Sequence, residues 1–123
     1  RNEIYFCKLV FDYMQANFTY VKKDKSYASP LHTFNFKQGV CGETAMLFVV
    51  LVRRHGVNAK FCEVIRDYKG ELVNHACVIV TLKNGKQVLI DPVAYNLFDV
   101  KHKEYKTIDD FTVLQWFRYW QTK

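Results

Sequence analysis

Three side chains in this sequence have the types and spacing of a nucleophile, a base and an orienting acid: Cys41 in "GVCGETA", His75 in "NHACV" and Asp91 in "LIDPV". A cysteine at the first turn of a helix has its thiolate beside unpaired backbone N–H groups and the positive end of the helix dipole, which favours the charged, reactive form. Gly39 and Gly42 flank Cys41 and keep the backbone bare, so that a carbonyl group can approach. A thiol nucleophile also needs a base within hydrogen-bond reach and a third group to orient that base. His75 near the start of one strand and Asp91 at the end of the next meet those needs when the two strands pair antiparallel. The other candidates are weaker. His32 falls in a loop, His55 at a helix end and His102 in a basic run, so none of them competes with His75. Cys7 and Cys62 lie on element faces and read as core.

The elements that must position these residues follow from hydrophobic period. Residues 3 to 16 carry Ile4, Cys7, Val10, Phe11 and Met14 at helical spacing, which predicts an amphipathic helix. A strand-like "FTYV" follows, and residues 22 to 38 mix Lys, Ser, Pro and Asn with isolated aromatics, as a long surface loop does. Cys41 to His55 is the central helix, apolar from Ala45 to Val52, with basic residues near its end and Gly56 as its stop. The period then changes to two, and residues 59–67, 72–82 and 86–91 read as three strands joined by "YKG" and "KNG". "TIDDFTVLQWFRYW" predicts a closing amphipathic helix, with Thr107 as N-cap and Asp110 in the first turn.

Register decides whether Asp91 can face His75. A two-residue turn at Asn84 and Gly85 would pair Val78 with Asp91 and put His75 and Asp91 on opposite faces. A three-residue loop, Lys83 to Gly85, with Gly85 in the left-handed region, pairs Cys77 with Asp91 and makes His75 a diagonal neighbour on the same face. The triad requires the second geometry, or a bulge that restores the parity.

The chain has 123 residues, half of them hydrophobic and 16% aromatic, which excludes disorder and fits a single domain spanning residues 1–123. Its longest apolar run is far short of a membrane span, so no membrane association is expected. It starts at Arg1 with no apolar signal segment, which fits a mature form or an excised domain and leaves the compartment open. Four scattered cysteines do not form a disulfide framework and read as free thiols, which leans towards a reducing compartment. The net charge is +6, with basic runs "KKDK" and "KHKEYK". Those runs favour an acidic partner, nucleic acid included, but read first as solvated loops.

With its blocks in this order, "GVCGETA", "HACV" and "IDP", the sequence resembles the transglutaminase-like superfamily of cysteine enzymes over roughly residues 4 to 95. The resemblance implies an α+β, papain-like fold: a central helix packed on an antiparallel sheet, with flanking N- and C-terminal helices. It implies Cys41 as nucleophile, His75 as general base and acid, and Asp91 as the orienting carboxylate. The reaction implied is cysteine-dependent amide hydrolysis or acyl transfer on a protein or peptide substrate through a thioester, with no cofactor or metal. The Cys41 N–H would supply half of an oxyanion hole, and Gln38 and Asn35, close in sequence, are candidates for the other half. One departure stands out: the family commonly has an aromatic residue two positions after the histidine, and here that position is Cys77. Cys77 reads as a small buried filler, with a redox partner of Cys41 and a zinc ligand alongside Cys41, Cys62 and His75 as alternatives. Two other function classes remain open: a catalytically inactive interaction module, and a basic-surface nucleic-acid-binding domain.

Overall fold

A computed structural model describes residues 2–22 and 27–121 of the protein. Helix α1, Glu3–Asn17, starts where the Asn2 side chain accepts the Tyr5 N–H at 2.8 Å. Cys7, Phe11 and Met14 then recur along one buried face. Strand β1, Thr19–Tyr20, is the short realisation of the "FTYV" segment, and it pairs in parallel with β2, Gln38–Gly39.

Between them the structure corrects the expected loop. Residues Pro30–Phe36 form a helix, α2, whose start is capped by Ser29, with Pro30 in the first turn. Proline suits that position because its missing N–H would be unpaired there anyway. The helix closes on Lys37 in the left-handed conformation (φ 56°), where glycine is usual, so the sequence carried no stop signal. Residues 23–26, which hold most of the "KKDK" run, lie outside the described residues.

Helix α3, Cys41–Arg53, is buried along almost all of its length, with Phe48, Val49 and Val52 within 1% of complete burial. It lies against a five-stranded sheet in the order β6-β5-β4-β3-β7, antiparallel throughout. The strands are β3 (Asn58–Arg66), β4 (Leu72–Thr81), β5 (Gln87–Asp91), β6 (Leu97–Phe98) and β7 (Glu104–Ile108). One core joins α1 and α3 to Phe61, Val78, Val80 and Ile90 of the sheet. Because side chains alternate along a strand, Cys62, Val64, Cys77, Ile79 and Leu89 point the other way, and they form a second buried cluster closed by Val100.

Strands β4 and β5 pair Val78 with Ile90, Ile79 with Leu89, Val80 with Val88 and Thr81 with Gln87, so partners sum to 168. The Leu82 N–H binds the Lys86 carbonyl and the Gly85 N–H binds the Leu82 carbonyl, both at 2.8 Å, closing the three-residue loop that the triad requires. Gly85 has φ +89°, a conformation that glycine adopts without steric penalty. Continuing the register past Val78 sets Cys77 beside Asp91, with His75 two residues further along the same face.

The "KHKEYK" run also differs from expectation. Its second half belongs to β7, an edge strand that pairs with β3 and exposes every residue but Ile108. Charged side chains on such an edge oppose pairing with further strands, and the two-sided exposure hides any strand period. Thr107 is therefore a strand residue. The closing helix α4, Asp110–Gln121, is capped by Asp109, whose carboxylate accepts the Thr112 N–H at 2.9 Å.

Candidate active site

Cys41 is the first residue of α3 and is half-buried. The helix start around it is held by Glu43, which is fully buried and accepts the Val40 N–H on Oε1 at 2.9 Å and the Ala28 N–H on Oε2. One carboxylate thus fixes the approach to the nucleophile and the chain that crosses in front of it. A Cβ on Gly42 would stand 2.6 Å from the Tyr27 ring, so only glycine lets this tyrosine lie against the helix start. Burial, and then the charges of Cys41, Glu43 and Tyr20, push the Tyr27 hydroxyl up to about 12. Tyr20 is raised by burial and by Cys41 as well, so both tyrosines border the thiol. The Thr44 hydroxyl spans from α3 to the Pro92 carbonyl at 3.5 Å and ties the cysteine helix to the end of β5.

At that strand end Asp91 is completely buried. Its Oδ2 is 2.7 Å from His75 Nε2, as the register demands. Cys41 lies near enough to the same imidazole to favour its protonated form. Burial alone would lower the proton affinity of His75. The hydrogen bonds and charges of Asp91 and Cys41 outweigh it and raise the group from 6.5 to about 9. The structure therefore brings Cys41, His75 and Asp91 together, with His75 bonded to Asp91 and influenced by Cys41. Gln38 and Asn35 are both exposed, in β2 and α2.

The sequence reading missed three neighbours. His102, dismissed above as part of a basic run, is 5% exposed and places Nε2 2.9 Å from the same Asp91 Oδ2. Its signal was present in "VKHK": Val100 and His102 are buried while Lys101 and Lys103 are exposed, a period of two masked by the lysines. Tyr95 stacks on His75 with ring centroids 4.4 Å apart, and so supplies the aromatic wall that position 77 lacks. Its hydroxyl donates to Asp67 at 2.8 Å, and Lys69 and Glu71 donate backbone N–H groups to the same carboxylate. Burial opposes the charge of Asp67, but those bonds, with Tyr95 foremost and His102 nearby, hold its carboxyl below the usual range. Just after Asp91, Val93 has φ +65° and is bridged by an Ala94 N–H to Pro92 carbonyl bond of 2.7 Å. For a β-branched residue this is a strained conformation, held where the chain turns back to bring Tyr95 over the histidine.

Cys77 is fully buried opposite Cys62, and the neighbouring Cys62 thiol, with burial, raises its thiol well above the ordinary range. Its partner is thus Cys62 and not Cys41. Among the described residues the metal-type donors that converge are His75, Asp91 and His102, with ligand atoms within 4.8 Å of one another. Two imidazoles and a carboxylate suit several divalent metals. All three are buried and hydrogen-bonded within the set, which as it stands is a closed polar network. No helix among the described residues is long and apolar enough to cross a membrane.

A helix-borne cysteine, a strand histidine and a strand-end aspartate on an antiparallel sheet define the α+β, papain-like class. The sequence profile of the transglutaminase-like superfamily matches residues 1–92, about three-quarters of the chain, and the protein belongs to that superfamily. Among solved structures it is similar to a candidate cysteine protease from Cytophaga hutchinsonii, with a TM-score of 0.60 and 17% identity. That match covers 84% of this chain and 45% of the other, so this chain spans less than half of the solved structure's length. None of the curated proteins matches the chain at a significant level.

Proposed function

We propose that the protein is a cysteine-dependent amide hydrolase or acyl transferase, with Cys41 as nucleophile, His75 as acid and base, and Asp91 as the group that orients His75. The observation that carries this reading is the buried Asp91–His75 contact of 2.7 Å, with Cys41 at the start of α3 near enough to favour the protonated imidazole. A histidine raised to about 9 is protonated at neutral pH and is ready to donate. The Cys41 thiolate attacks the amide carbonyl carbon, and the carbonyl electrons move to oxygen. The Cys41 N–H steadies that oxyanion, with Gln38 or Asn35 as the side-chain donor. Collapse expels the amine, which takes the proton from His75 and leaves a thioester on Cys41. His75, now neutral, removes a proton from water or a second amine, which attacks the thioester and releases the thiolate. A protein or peptide supplies the amide.

The test is alkylation by iodoacetamide at about pH 6, followed by mass spectrometry after exposure to a peptide and amine library. Cys41 should label faster than Cys7, Cys62 and Cys77 and should carry acyl adducts. His75→Ala should slow the labelling several-fold. Cys41→Ala should lose the adducts with its melting temperature within a few degrees of the parent, because the half-buried thiol adds little packing. Equal labelling of all four thiols, without adducts, would mark the chain as an inactive interaction module.

A further inference from the structure

Asp91 serves two imidazoles, and the reading above uses only one. His75 and His102 both aim Nε2 at the same oxygen, at 2.7 and 2.9 Å, while among the described residues Asp91 Oδ1 receives only the Tyr95 N–H at 3.4 Å. His102 Nδ1 is buried and has no hydrogen-bond partner among the described residues. That bare nitrogen fits a ring that carries its proton on Nε2 and donates it to Asp91, since a second N–H would have no acceptor in a buried place. A carboxylate with no contact with water depends on such donors for its hydrogen bonds and its orientation.

We propose that His102 is a positioning residue of the active site, which keeps Asp91 aimed at His75 by donating its Nε2–H to the carboxylate. The inference rests on the triad reading. Groups facing His102 come from three elements: Asp91 on β5, His75 on β4, and Tyr68 with Asp67 in the turn between β3 and β4. Tyr95 from the segment after β5 completes the shell, with its ring centroid 5.5 Å from that of His102. Tyr95 and Asp67 are bonded to each other, so Asp91 is the carboxylate left for the His102 donor. His102 therefore reaches the thiol only through Asp91 and His75. When its donor is lost, the Asp91 carboxylate is free to turn away from His75. The His75 imidazolium then loses its support, and Cys41 its counter-ion.

Two substitutions separate the donor from the ring. His102→Gln keeps an N–H at about the reach of Nε2 and loses the ring; His102→Phe keeps the ring against Tyr68 and Tyr95 and loses the donor. The readout is the pH profile of Cys41 alkylation on the intact protein. His102→Gln should keep the acid limb of the parent, and His102→Phe should move it up by about half a pH unit or more. Should the Phe variant fail to fold, His102→Asn replaces it, because its amide falls short of Asp91, and it should show the same upward shift. An acid limb unchanged in the variants without the donor, or one that moves equally with Gln, would overturn the proposal even if their melting temperatures fall. A parent protein in which Cys41 alkylates no faster than the other thiols would instead overturn the triad reading itself.

Discussion

At His75, burial and hydrogen bonding pull in opposite directions, and the balance sets what the site can do at neutral pH. Burial is the larger single influence and disfavours the imidazolium. Asp91 and Cys41 together outweigh it and bring the group to about 9. Because Asp91 supports the imidazolium more strongly than Cys41 does, the two substitutions should differ. Followed by the His75 ring-proton NMR shift, the midpoint should be highest in the parent, lower in Cys41→Ala and lowest in Asp91→Asn. A Cys41→Ala midpoint below that of Asp91→Asn would reverse the assignment of the main partner. The three residues on this line were legible in the sequence because each carries its own local mark: glycines around a helix start, a histidine in an apolar strand, an aspartate before proline. His102 and Tyr95 were not, because they reach the site by tertiary packing from segments whose local signals are lysines and turn residues.

At the scale of elements, the site is assembled by the start of α3 and the ends of β4 and β5. The β4–β5 register was readable because parity leaves few choices once Asp91 must face His75, and Gly85 sits where the longer loop needs a left-handed residue. Helix α2 and strand β7 were hidden for opposite reasons. Helix α2 has a start signal in Ser29 and Pro30 but ends on Lys37, and β7 is an edge wetted on both faces. Glu43 was passed over in "CGET" because an acidic residue in a first helical turn is ordinary. Its complete burial makes it more than a dipole partner, since it receives one backbone N–H from its own helix start and another from residue 28. Glu43→Gln keeps the shape but turns an NH2 group towards one of those donors. Chemical denaturation should show a loss of about 2 kcal/mol, the cost of a buried donor left facing a donor. A change of only a few tenths would mean that the segment before α2 does not depend on this carboxylate.

For the molecule as a whole, the same groups predict how stability varies with pH, and the sign is cleanest when Cys41 is removed. In the parent, the His75 value of about 9 includes the support of Cys41, so it mixes two partners. In Cys41→Ala the support of Cys41 is gone and that of Asp91 remains. There Asp91 alone opposes burial, and its bond and charge should keep the folded His75 above 6.5, though below the parent's value of about 9. A group raised on folding stabilises fully below its unfolded value and loses that contribution as pH rises towards its folded value. The urea-unfolding free energy of Cys41→Ala should therefore fall between about pH 6 and pH 8.5, by less than about 3 kcal/mol, the ceiling set by the parent's shift. His75→Ala in the same background should remove the slope. Above about pH 9 both proteins should decline again, because burial, with Glu3 adding to it, raises Cys7 from 9.0 to about 11, and Cys77 is raised too. On the acid side, Asp67, Asp109 and Asp110 are lowered from 3.8 by their hydrogen bonds, so their support is lost only as pH falls below that value. A stability that stays flat from pH 6 to 8.5 in Cys41→Ala, with His75 intact, would show that Asp91 does not bind the protonated histidine more strongly than the neutral one.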